Sequence, residues 1–485
     1  MSDIFNISIS GLRAAQTGLA TVSHNVANVN TEGYNRQRIE LAAREPQYTG
    51  AGFVGRGVNV NGIERLYDEF LTLEIRDTTS SLSQFDRFNK LSSQIDNLLA
   101  DPQGSLSPAL QTFFDSVQDV ANDPASTPAR QTLLSSAQTL SDRFVFFNSR
   151  LNEQYNNVNL QLGQQVGQIN NLAESIAQVN RALVDRGGSS ADGQVANDLM
   201  DQRDELIREL ADLVQVRSVD QDDGSVSVFV GNGQVLVNQF DAQKMVLVDN
   251  EYDTNRKEIG ISVGDIDVQI SNQLTGGQIG GTLDYRNNVL DIARNSLGRI
   301  SLALVNDFNS QHKLGMDLNG ELGGDFFQIS GLGSAVNAQA NENNGTSSGV
   351  TFTVTDTSEL TVSDYLLTYN GNDEYTLTRL SDRDTTTLDT SGTYPYTSTA
   401  IDGFTVAITG APAAGDVFRI QPTAGVMQSF DLLIGEPAKI AAANPIRTET
   451  ASANTGSGIV NPGTMTDATA YVPDDYSIVL ADATS

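Results

Sequence analysis

The chain has 485 residues, a formal net charge of −31 at pH 7, 7% aromatic residues and no cysteine. A chain of this length exceeds a single hydrophobic core, so we expect three or more domains. The excess negative charge disfavours nucleic acid and anionic membranes as partners, and the absence of cysteine excludes disulfides and thiolate metal sites.

The acidity is uneven along the sequence. Residues 1–48 hold as many arginines as acidic residues, so this segment is neutral and the excess acid lies downstream. Residues 1–20 lack the basic start, apolar run and cleavage site of a secretory signal peptide. No apolar stretch is long enough for a membrane-spanning helix, which needs roughly 18 consecutive apolar residues.

The first predicted helix carries a heptad seam, because apolar or small residues recur at alternating spacings of three and four. Such a helix is marginal alone in water and needs a partner. It packs either in a bundle within its own domain or against another helix or other subunits. The seam consists of Phe5, Ser8, Leu12, Ala15, Leu19, Val22, Val26 and Val29.

The stretch HNVANVNTEGYNRQR at residues 24–38 follows the seam. Asparagine side chains can bond the backbone groups freed at a helix end, and Gly33 accepts a positive φ. A helix cap needs one such residue, so the cluster predicts a junction where the helix passes into an extended connector. The predicted helix-exit residues are Asn25, Asn28, Asn30, Thr31, Gly33 and Tyr34.

Downstream periodicity predicts a multidomain α+β protein with an N-terminal coiled-coil helix, an elongated helical-bundle middle domain and small all-β domains. Helices are predicted over residues 67–100, 105–122, 126–147, 151–184, 196–214, from about 289 to 310, and 436–444. The expected domains are 1–66 (core helix and connector), 67–345 (helical, with a β-hairpin region at 215–270), 346–423 (β), 424–450 (connector with a short helix) and 451–485 (start of a second β repeat).

An internal repeat supports the last boundary. TDTSELTVSDY at residues 355–365 resembles TDATAYVPDDY at residues 466–476. The second copy stops after about one strand, and one strand cannot bury a core. We therefore expect more sequence to follow Ser485 in the natural protein.

The sequence contains no group of residues in a spacing typical of a catalytic site. His24 and His312 are the two histidines, and neither sits in a pattern typical of a catalytic base or a metal site. DLNGELGGD at 317–325 lacks the EF-hand spacing, and TGGQIGG at 275–281 lacks the lysine of a phosphate loop. The sequence predicts no enzyme, no metal and no cofactor.

SGLRAAQTGLATVSHNVANVNTEGYNRQR at residues 10–38 resembles the N-terminal signature of the bacterial flagellar axial proteins, which form the rod, hook and hook-associated parts. NDLMDQRDELIRELADLV at 197–214 is similar to a motif of the hook-associated protein 1 (FlgK) family. Residues 276–327 are similar to that family's long helix and its Asn-x-x-His-x-x-Gly-x-Asp sequel, with extra residues between Asn306 and His312. GAPAAGDVFRIQPT at 410–423 resembles the family's β-domain ending. The residues that carry these motifs are Asn197, Asp201, Arg203, Asp204, Gly277, Gly280, Gly281, Arg286, Asn306, His312, Gly315 and Asp317.

The resemblance implies a structural protein outside the cell, exported without a cleavable signal peptide through the flagellar type III apparatus. It implies a homo-oligomeric ring at the hook–filament junction, with hook protein on one side and a second hook-associated protein on the other. A C-terminal helix absent from this sequence would pair with the first helix and bind an export chaperone, so residues 1 to about 70 are expected to be poorly ordered without it. The residues implied to pack subunits are Leu12, Ala15, Leu19, Val22, Val26 and Val29.

Three other interpretations stay open from sequence alone. A hook or rod protein shares the first motif and lacks the second. The β domains by themselves suggest a surface adhesin or glycan-binding module. An enzyme inserted in an axial protein is disfavoured because residues 346–485 contain neither histidine nor cysteine.

Overall fold

The computed structural model describes residues 2–48, 50, 52–101, 104–185, 196–345, 349–410, 412–453 and 460–478. The chain divides into two compact units. The first unit comprises residues 1–94 and 155–289, and the second comprises residues 95–154 and 290–485. Each unit combines two separate stretches of sequence, and the consecutive domain boundaries expected from sequence stay predictions.

Long helices dominate up to residue 313. The helices predicted separately over 126–147 and 151–184 are one continuous helix, because no glycine or proline interrupts residues 148–150 and the apolar spacing carries through. The first helix ends two residues before the last seam residue. The helices are α1 Ser2–Ala27, α2 Glu69–Ala100, α3 Leu106–Asn122, α4 Thr127–Asp185, α5 Asn197–Leu213, α6 Gly277–Tyr285 and α7 Asp291–Lys313, with a π-helical turn at Arg286–Leu290 between the last two.

The strands of the first unit are all antiparallel. In the connector after α1, strands β1 and β4 pair to form a two-stranded ribbon. The predicted β-hairpin region at 215–270 forms two further sheets of four and three strands. The strands are β1 Gln37–Ala43, β2 Gln47–Tyr48, β3 Phe53–Val54, β4 Val58–Arg65, β5 Val216–Asp220, β6 Val226–Val230, β7 Gln234–Asn238, β8 Asp241–Ala242, β9 Lys244–Asp249, β10 Lys257–Val263 and β11 Ile266–Gln269.

One glutamine, Gln165, interrupts the apolar face of α4 inside the first unit. Gln165 is 3% exposed, and its Nε2 donates to Thr282 Oγ1 at 3.3 Å. The apolar seam residues around it, Leu162 and Ile169, are fully buried. The amide nitrogen therefore has a partner, which offsets part of the cost of removing the side chain from water, while Oε1 is buried without a hydrogen bond among the described residues.

The β strands of the second unit form two packed antiparallel sheets, ordered β13-β15-β20-β19 and β14-β21-β16-β17-β18, and a separate two-stranded ribbon. Alternating residues face one shared core that includes Phe352, Leu367, Tyr375 and Phe404. The strands are β12 Phe327–Gln328, β13 Val336–Asn337, β14 Gln339–Ala340, β15 Gly349–Val354, β16 Tyr365–Gly371, β17 Glu374–Arg379, β18 Thr385–Asp389, β19 Tyr396–Thr397, β20 Phe404–Thr409, β21 Val417–Ile420 and β22 Asp431–Leu432.

Two predicted segments after the β sheets differ in the structure. The helix predicted over 436–444 is only a 3₁₀ turn, Pro437–Lys439. Residues 460–478 contain no strand, although the repeat keeps its local geometry. In both copies an aspartate Oδ1 accepts hydrogen bonds from the backbone N–H and hydroxyl two residues on, Asp356 from Ser358 and Asp467 from Thr469.

Candidate functional site

Most of the large apolar seam residues of α1 lie on one face of the helix, and small residues lie on the opposite face. The predicted seam is turned to solvent: Leu19 and Val26 are 69% and 68% exposed. The opposite face, with Ser10, Ala14 and Thr21 buried, packs on the β1–β4 ribbon. Among the described residues of the first unit, none covers this seam. The other exposed seam residues are Phe5, Ser8, Leu12, Ala15, Val22 and Val29.

The small face of α1 allows the ribbon to approach the helix closely. Ser10 Oγ accepts a hydrogen bond from the backbone N–H of Val58 at 3.2 Å. Gly57 has φ +96°, and a Cβ there would overlap Ser10 Oγ. Ile39 Cδ1 lies 3.2 Å from the position of a Cβ on Gly18. Residues on this face are small because the backbone of the β1–β4 ribbon lies close to the helix.

Asn25 joins the end of α1 to the beginning of β1. Its Nδ2 donates to the Gln37 carbonyl at 2.9 Å, and its Oδ1 accepts from the Gln37 N–H at 2.9 Å. Tyr34 Oη donates to the same Oδ1 at 2.7 Å. One amide side chain therefore substitutes for a backbone partner across the turn, as buried amides do when they fix a local conformation.

The remaining helix-exit residues shape the turn itself. Asn28 Nδ2 donates to the His24 carbonyl at 3.1 Å, and Thr31 Oγ1 donates to Asn28 Oδ1 at 3.3 Å. Gly33 has φ +76°, and a Cβ on it would lie 2.9 Å from Glu205 Cβ. Asn30 is exposed. Glycine at 33 thus meets both a left-handed backbone and a close approach by α5.

The α5 motif lies against this helix exit, so two motifs far apart in sequence meet in the first unit. Asn35 donates to Asp201 through its backbone N–H at 3.0 Å and through Nδ2 at 2.7 Å. Gln37 Nε2 donates to Asp198 Oδ1 at 2.9 Å, and Asn197 Nδ2 donates to the Ile63 carbonyl at 2.8 Å. The motif residues on α5 are therefore docking groups for the connector.

Two buried arginines complete this ion-pair network. Arg65 Nη1 lies 2.9 Å from Asp201 Oδ1 and 2.6 Å from Asp204 Oδ2, and Arg76 Nη2 lies 3.1 Å from Asp204 Oδ1. Burial opposes the charge on Arg65, but Asp204 and Asp201 outweigh that effect and raise its pKa. The network holds the connector and α2 to one side of α5.

The motif arginine of α5, Arg203, serves another contact. Arg203 Nη1 donates to the Gly224 carbonyl in the β5–β6 turn at 2.8 Å. Burial lowers its pKa, although the charges of Asp204 and Asp220 oppose that effect. Arg203 thus joins α5 to the hairpin region and takes no part in the helix exit.

The glycine-rich motif before α6 is a packing device. Gly277 has φ +59°, and a Cβ on it would overlap the Leu213 carbonyl carbon at the end of α5. A Cβ on Gly281 would overlap the Gln84 carbonyl oxygen of α2, and a Cβ on Gly280 would lie 3.0 Å from the Thr275 carbonyl carbon. The absence of side chains here lets three backbone segments meet.

Arg286 begins the π-helical turn and is 1% exposed. Its Nη2 lies 2.8 Å from Glu258 Oε2, and its Nη1 donates to the Lys257 carbonyl at 2.6 Å. Burial disfavours ionisation of Glu258, but Arg286 and Arg256 outweigh it and lower the pKa of that carboxyl. The motif arginine therefore anchors β10 to the helices.

The remaining motif residues lie in the second unit. Asn306, which we predicted as the motif asparagine, is half-buried and donates to Thr357 Oγ1 at 3.3 Å. Asn309, which the sequence analysis missed, is 7% exposed; its Oδ1 accepts from the backbone N–H groups of Phe326 and Phe327 at 2.9 and 3.0 Å. Asn309 stands three residues before His312, the spacing of the family pattern, so simple counting would have found it.

His312, Gly315 and Asp317 organise the chain after α7. His312 is 5% exposed. A Cβ on Gly315 would overlap the Ala441 carbonyl oxygen. Asp317 Oδ1 accepts from the backbone N–H groups of Asn319 and Glu321 at 2.8 and 2.9 Å, which closes the following turn.

The described residues offer little chemistry beyond these contacts. They contain no cluster of three or more histidine, aspartate or glutamate residues with the geometry to hold a metal ion. Over the same part of the chain, no helix combines the length and apolar character needed to cross a bilayer. The arrangement orders an extended connector beneath an exposed helix.

Comparison with known proteins gives three family matches. Residues 92–327 match the flagellar hook-associated protein FlgK helical domain, and residues 339–422 match the D2-like domain of flagellar hook-associated protein 1. Residues 5–35 match the flagella basal body rod protein family. The short N-terminal motif is thus shared more widely than the two larger domains.

Individual relatives agree with these matches. The chain is 35% identical to flagellar hook-associated protein 1 of Escherichia coli strain K12 over 449 residues, which is 92% of this chain and 80% of that protein. It is 28% identical to the Bacillus subtilis strain 168 protein of the same name over 66% of this chain and 69% of that protein. The solved flagellar hook junction protein FlgK from Burkholderia pseudomallei superposes with a TM-score of 0.74 at 30% identity, covering 81% of this chain and 70% of that one. The motifs, the fold and these likenesses together show that the chain belongs to the flagellar hook-associated protein 1 (FlgK) family.

Proposed function

We propose that this protein assembles with copies of itself into a ring at the junction of the flagellar hook and filament, and that the filament attaches through this ring. The exposed seam of α1 carries the proposal. Seven seam positions on one face of α1, and Val29 just after the helix, are exposed to solvent, while the opposite face is packed. Burying a large apolar side chain stabilises an interface by about 1.5–3 kcal/mol, so this face gains most when it meets neighbouring subunits.

The helix-exit network gives the seam a fixed support. Asn25, Gln37 and Asp198 connect the end of α1 to the connector and to α5. A rigid support lowers the entropy lost when the seam packs against another subunit. The site residues therefore act as subunit-packing and positioning groups, and the role is structural and not catalytic.

The same proposal covers partners and location. Hook protein lies on one side of the ring and a second hook-associated protein on the other, outside the cell. The chain reaches that place by type III export without a cleavable signal peptide, and an export chaperone binds a C-terminal segment. The net charge of −31 supports the absence of nucleic acid and membrane partners.

Two aspartates in the seam test the assembly role. Leu19→Asp with Val26→Asp, introduced into the full-length protein in a motile bacterium, is expected to abolish filament attachment and swimming. Because both side chains are exposed, the purified variant should keep the helical content and thermal unfolding of the unmodified protein.

The matched control places the same two charges off the seam. Asn6→Asp with Ala20→Asp alters exposed positions on another face of α1 and should leave filaments attached. Normal swimming of the Leu19→Asp, Val26→Asp variant would overturn the proposal.

A further inference from the structure

Residues 437–443, called the strap here, run across the second unit after the β sheets. Arg130 Nη1 donates to the carbonyls of Pro437 and Ile440 at 3.0 and 2.5 Å. The backbone of Met316 pairs with that of Ala443 through hydrogen bonds of 2.8 and 3.1 Å. The strap is therefore held at both ends by α4 and by the loop after α7.

His312 holds the middle of the strap. Its Nε2 lies 2.9 Å from the backbone nitrogen of Ala441, and its Nδ1 lies 2.7 Å from the Gly324 carbonyl oxygen. An amide N–H can only donate and a carbonyl oxygen can only accept. The imidazole is thus neutral, with its proton on Nδ1 and its Nε2 lone pair bound to the strap.

Under the strap lies an apolar cavity of about 410 Å³. Ile440 and Ala441 of the strap line it, together with Leu133 of α4 and Phe308 of α7. Met465, which is 7% exposed, also lines it. The cavity is already partly open to solvent, and release of the strap would widen it.

The charged groups around His312 come from several elements. Asp317 and Asp325 lie in the loop after α7, and Lys313 on α7 pairs with Asp325 at 2.6 Å. Arg130 faces the imidazole from α4, and Lys439 belongs to the strap. Burial lowers the pKa of His312 and Arg130 lowers it further, while the Gly324 carbonyl and the two aspartates oppose them.

We propose that His312 is a proton-sensitive latch whose protonation in mildly acidic solution releases residues 437–443 and widens the apolar cavity that they line. A second proton on the ring turns Nε2 into a donor that points at the Ala441 N–H, so the hydrogen bond is lost and two donors face each other. The buried imidazolium also lies near the buried guanidinium of Arg130, which penalises the closed state.

Hydrogen exchange of the full chain tests the latch. The protection of the Ala441 amide, corrected for intrinsic exchange, is expected to fall up to tenfold for each pH unit between about pH 6.5 and pH 5, because opening takes up one proton. The Val406 and Leu367 amides in the β sheets should not follow this dependence. Binding of an apolar fluorescent dye should rise over the same pH range as the cavity widens.

The two histidines of the chain provide a matched pair of variants. His24→Gln should keep the pH dependence at Ala441, whereas His312→Gln should abolish it, since glutamine can still accept from Ala441 and cannot titrate. If His312→Gln does not fold, nitrogen NMR of the unmodified protein reports the His312 tautomer and its titration beside the exchange at Ala441. If the protection of the Ala441 amide from hydrogen exchange does not change as His312 is protonated, the proposal is overturned.

Discussion

Asn35 and Asp201 are joined by two hydrogen bonds, one from the Asn35 backbone N–H to Asp201 Oδ2 at 3.0 Å and one from Asn35 Nδ2 to Oδ1 at 2.7 Å. Arg65 also contacts that carboxylate at 2.9 Å. One aspartate of α5 thus holds the connector residue that follows the helix exit and the arginine that ends β4. The exposed seam of α1 depends on this docking for its position.

Replacing Asp201 by alanine should lower the free energy of unfolding of the first unit by about 3–5 kcal/mol, because a buried arginine loses a partner and Asn35 loses its acceptors. Urea unfolding followed by circular dichroism measures the change. Asp198→Ala is the control: its carboxylate side chain is 69% exposed, and an exposed pair contributes about 1 kcal/mol or less. Equal losses in the two variants would contradict the docking role of Asp201.

The assignment of the motif asparagine in the second unit can be tested in the same way. Asn309→Ala should destabilise by about 1–3 kcal/mol because the N–H groups of Phe326 and Phe327 lose a buried acceptor. Asn306→Ala, at a half-buried position, should cost about 1 kcal/mol or less. Thermal unfolding of both variants measures the difference, and a larger loss at 306 would reverse the assignment.

The space around two helical glycines, Gly281 in α6 and Gly167 in α4, predicts opposite effects of alanine on the free energy of unfolding. Gly281→Ala should destabilise by about 1–3 kcal/mol, since the new Cβ overlaps the Gln84 carbonyl. Gly167→Ala in α4 meets no atom within 4 Å and should stabilise by roughly 0.5–1 kcal/mol through helix propensity. Denaturant midpoints of the two variants are the measurement. A stable Gly281→Ala protein would show that α2 and α6 are free to separate.

The buried pair of Glu258 and Arg286 makes stability depend on pH. The pKa of Glu258 is lowered in the folded protein, so its contribution is present above the unfolded-state pKa, which is about 4.3, and is lost as pH falls through the folded value. Glu258→Gln should therefore cost about 3–5 kcal/mol near neutral pH, and progressively less as the carboxyl of the unmodified protein is protonated. Urea unfolding across that pH range measures both.

The control for this pH effect is Glu153→Gln, which removes an exposed pair with Arg150. It should change the free energy of unfolding by less than about 1 kcal/mol at every pH. If the free energy of unfolding of Glu258→Gln stays below that of the unmodified protein by the same amount at acidic pH, the loss comes from packing and not from charge.

Sequence patterns predicted local structure where one periodicity dominates. The seam of α1, the helices and the alternating strands all follow from spacing and turn residues. The continuity of α4 was missed because an amide-rich stretch near residue 150 looks like a break, although nothing in it stops a helix. The repeat at 466–476 was recognised, but its strand is absent from the described residues.

The contacts that define the site were beyond sequence reasoning for a physical reason. Asn35 and Asp201 are 166 residues apart, and their pairing depends on the hydrogen bonds that join α5 to the β1–β4 ribbon. The motifs were visible separately, yet their meeting could not be read from either one. Local caps such as Gly33 were partly accessible, because a positive φ is a one-residue property, while its close approach to Glu205 is not.

Each compact unit combines an early stretch of the chain with a second stretch that comes much later in the sequence. The guanidinium of Arg130 donates to the carbonyl of Ile440, which lies 310 positions later in the sequence. Residues 1–94 likewise pack with residues 155–289 in the first unit. Contacts of such separation form slowly because the loop entropy is lost before any bond is gained. Synthesis from the N-terminus therefore cannot complete the first unit before residue 289 is available, and the contact between Arg130 and Ile440 in the second unit forms only after residue 440.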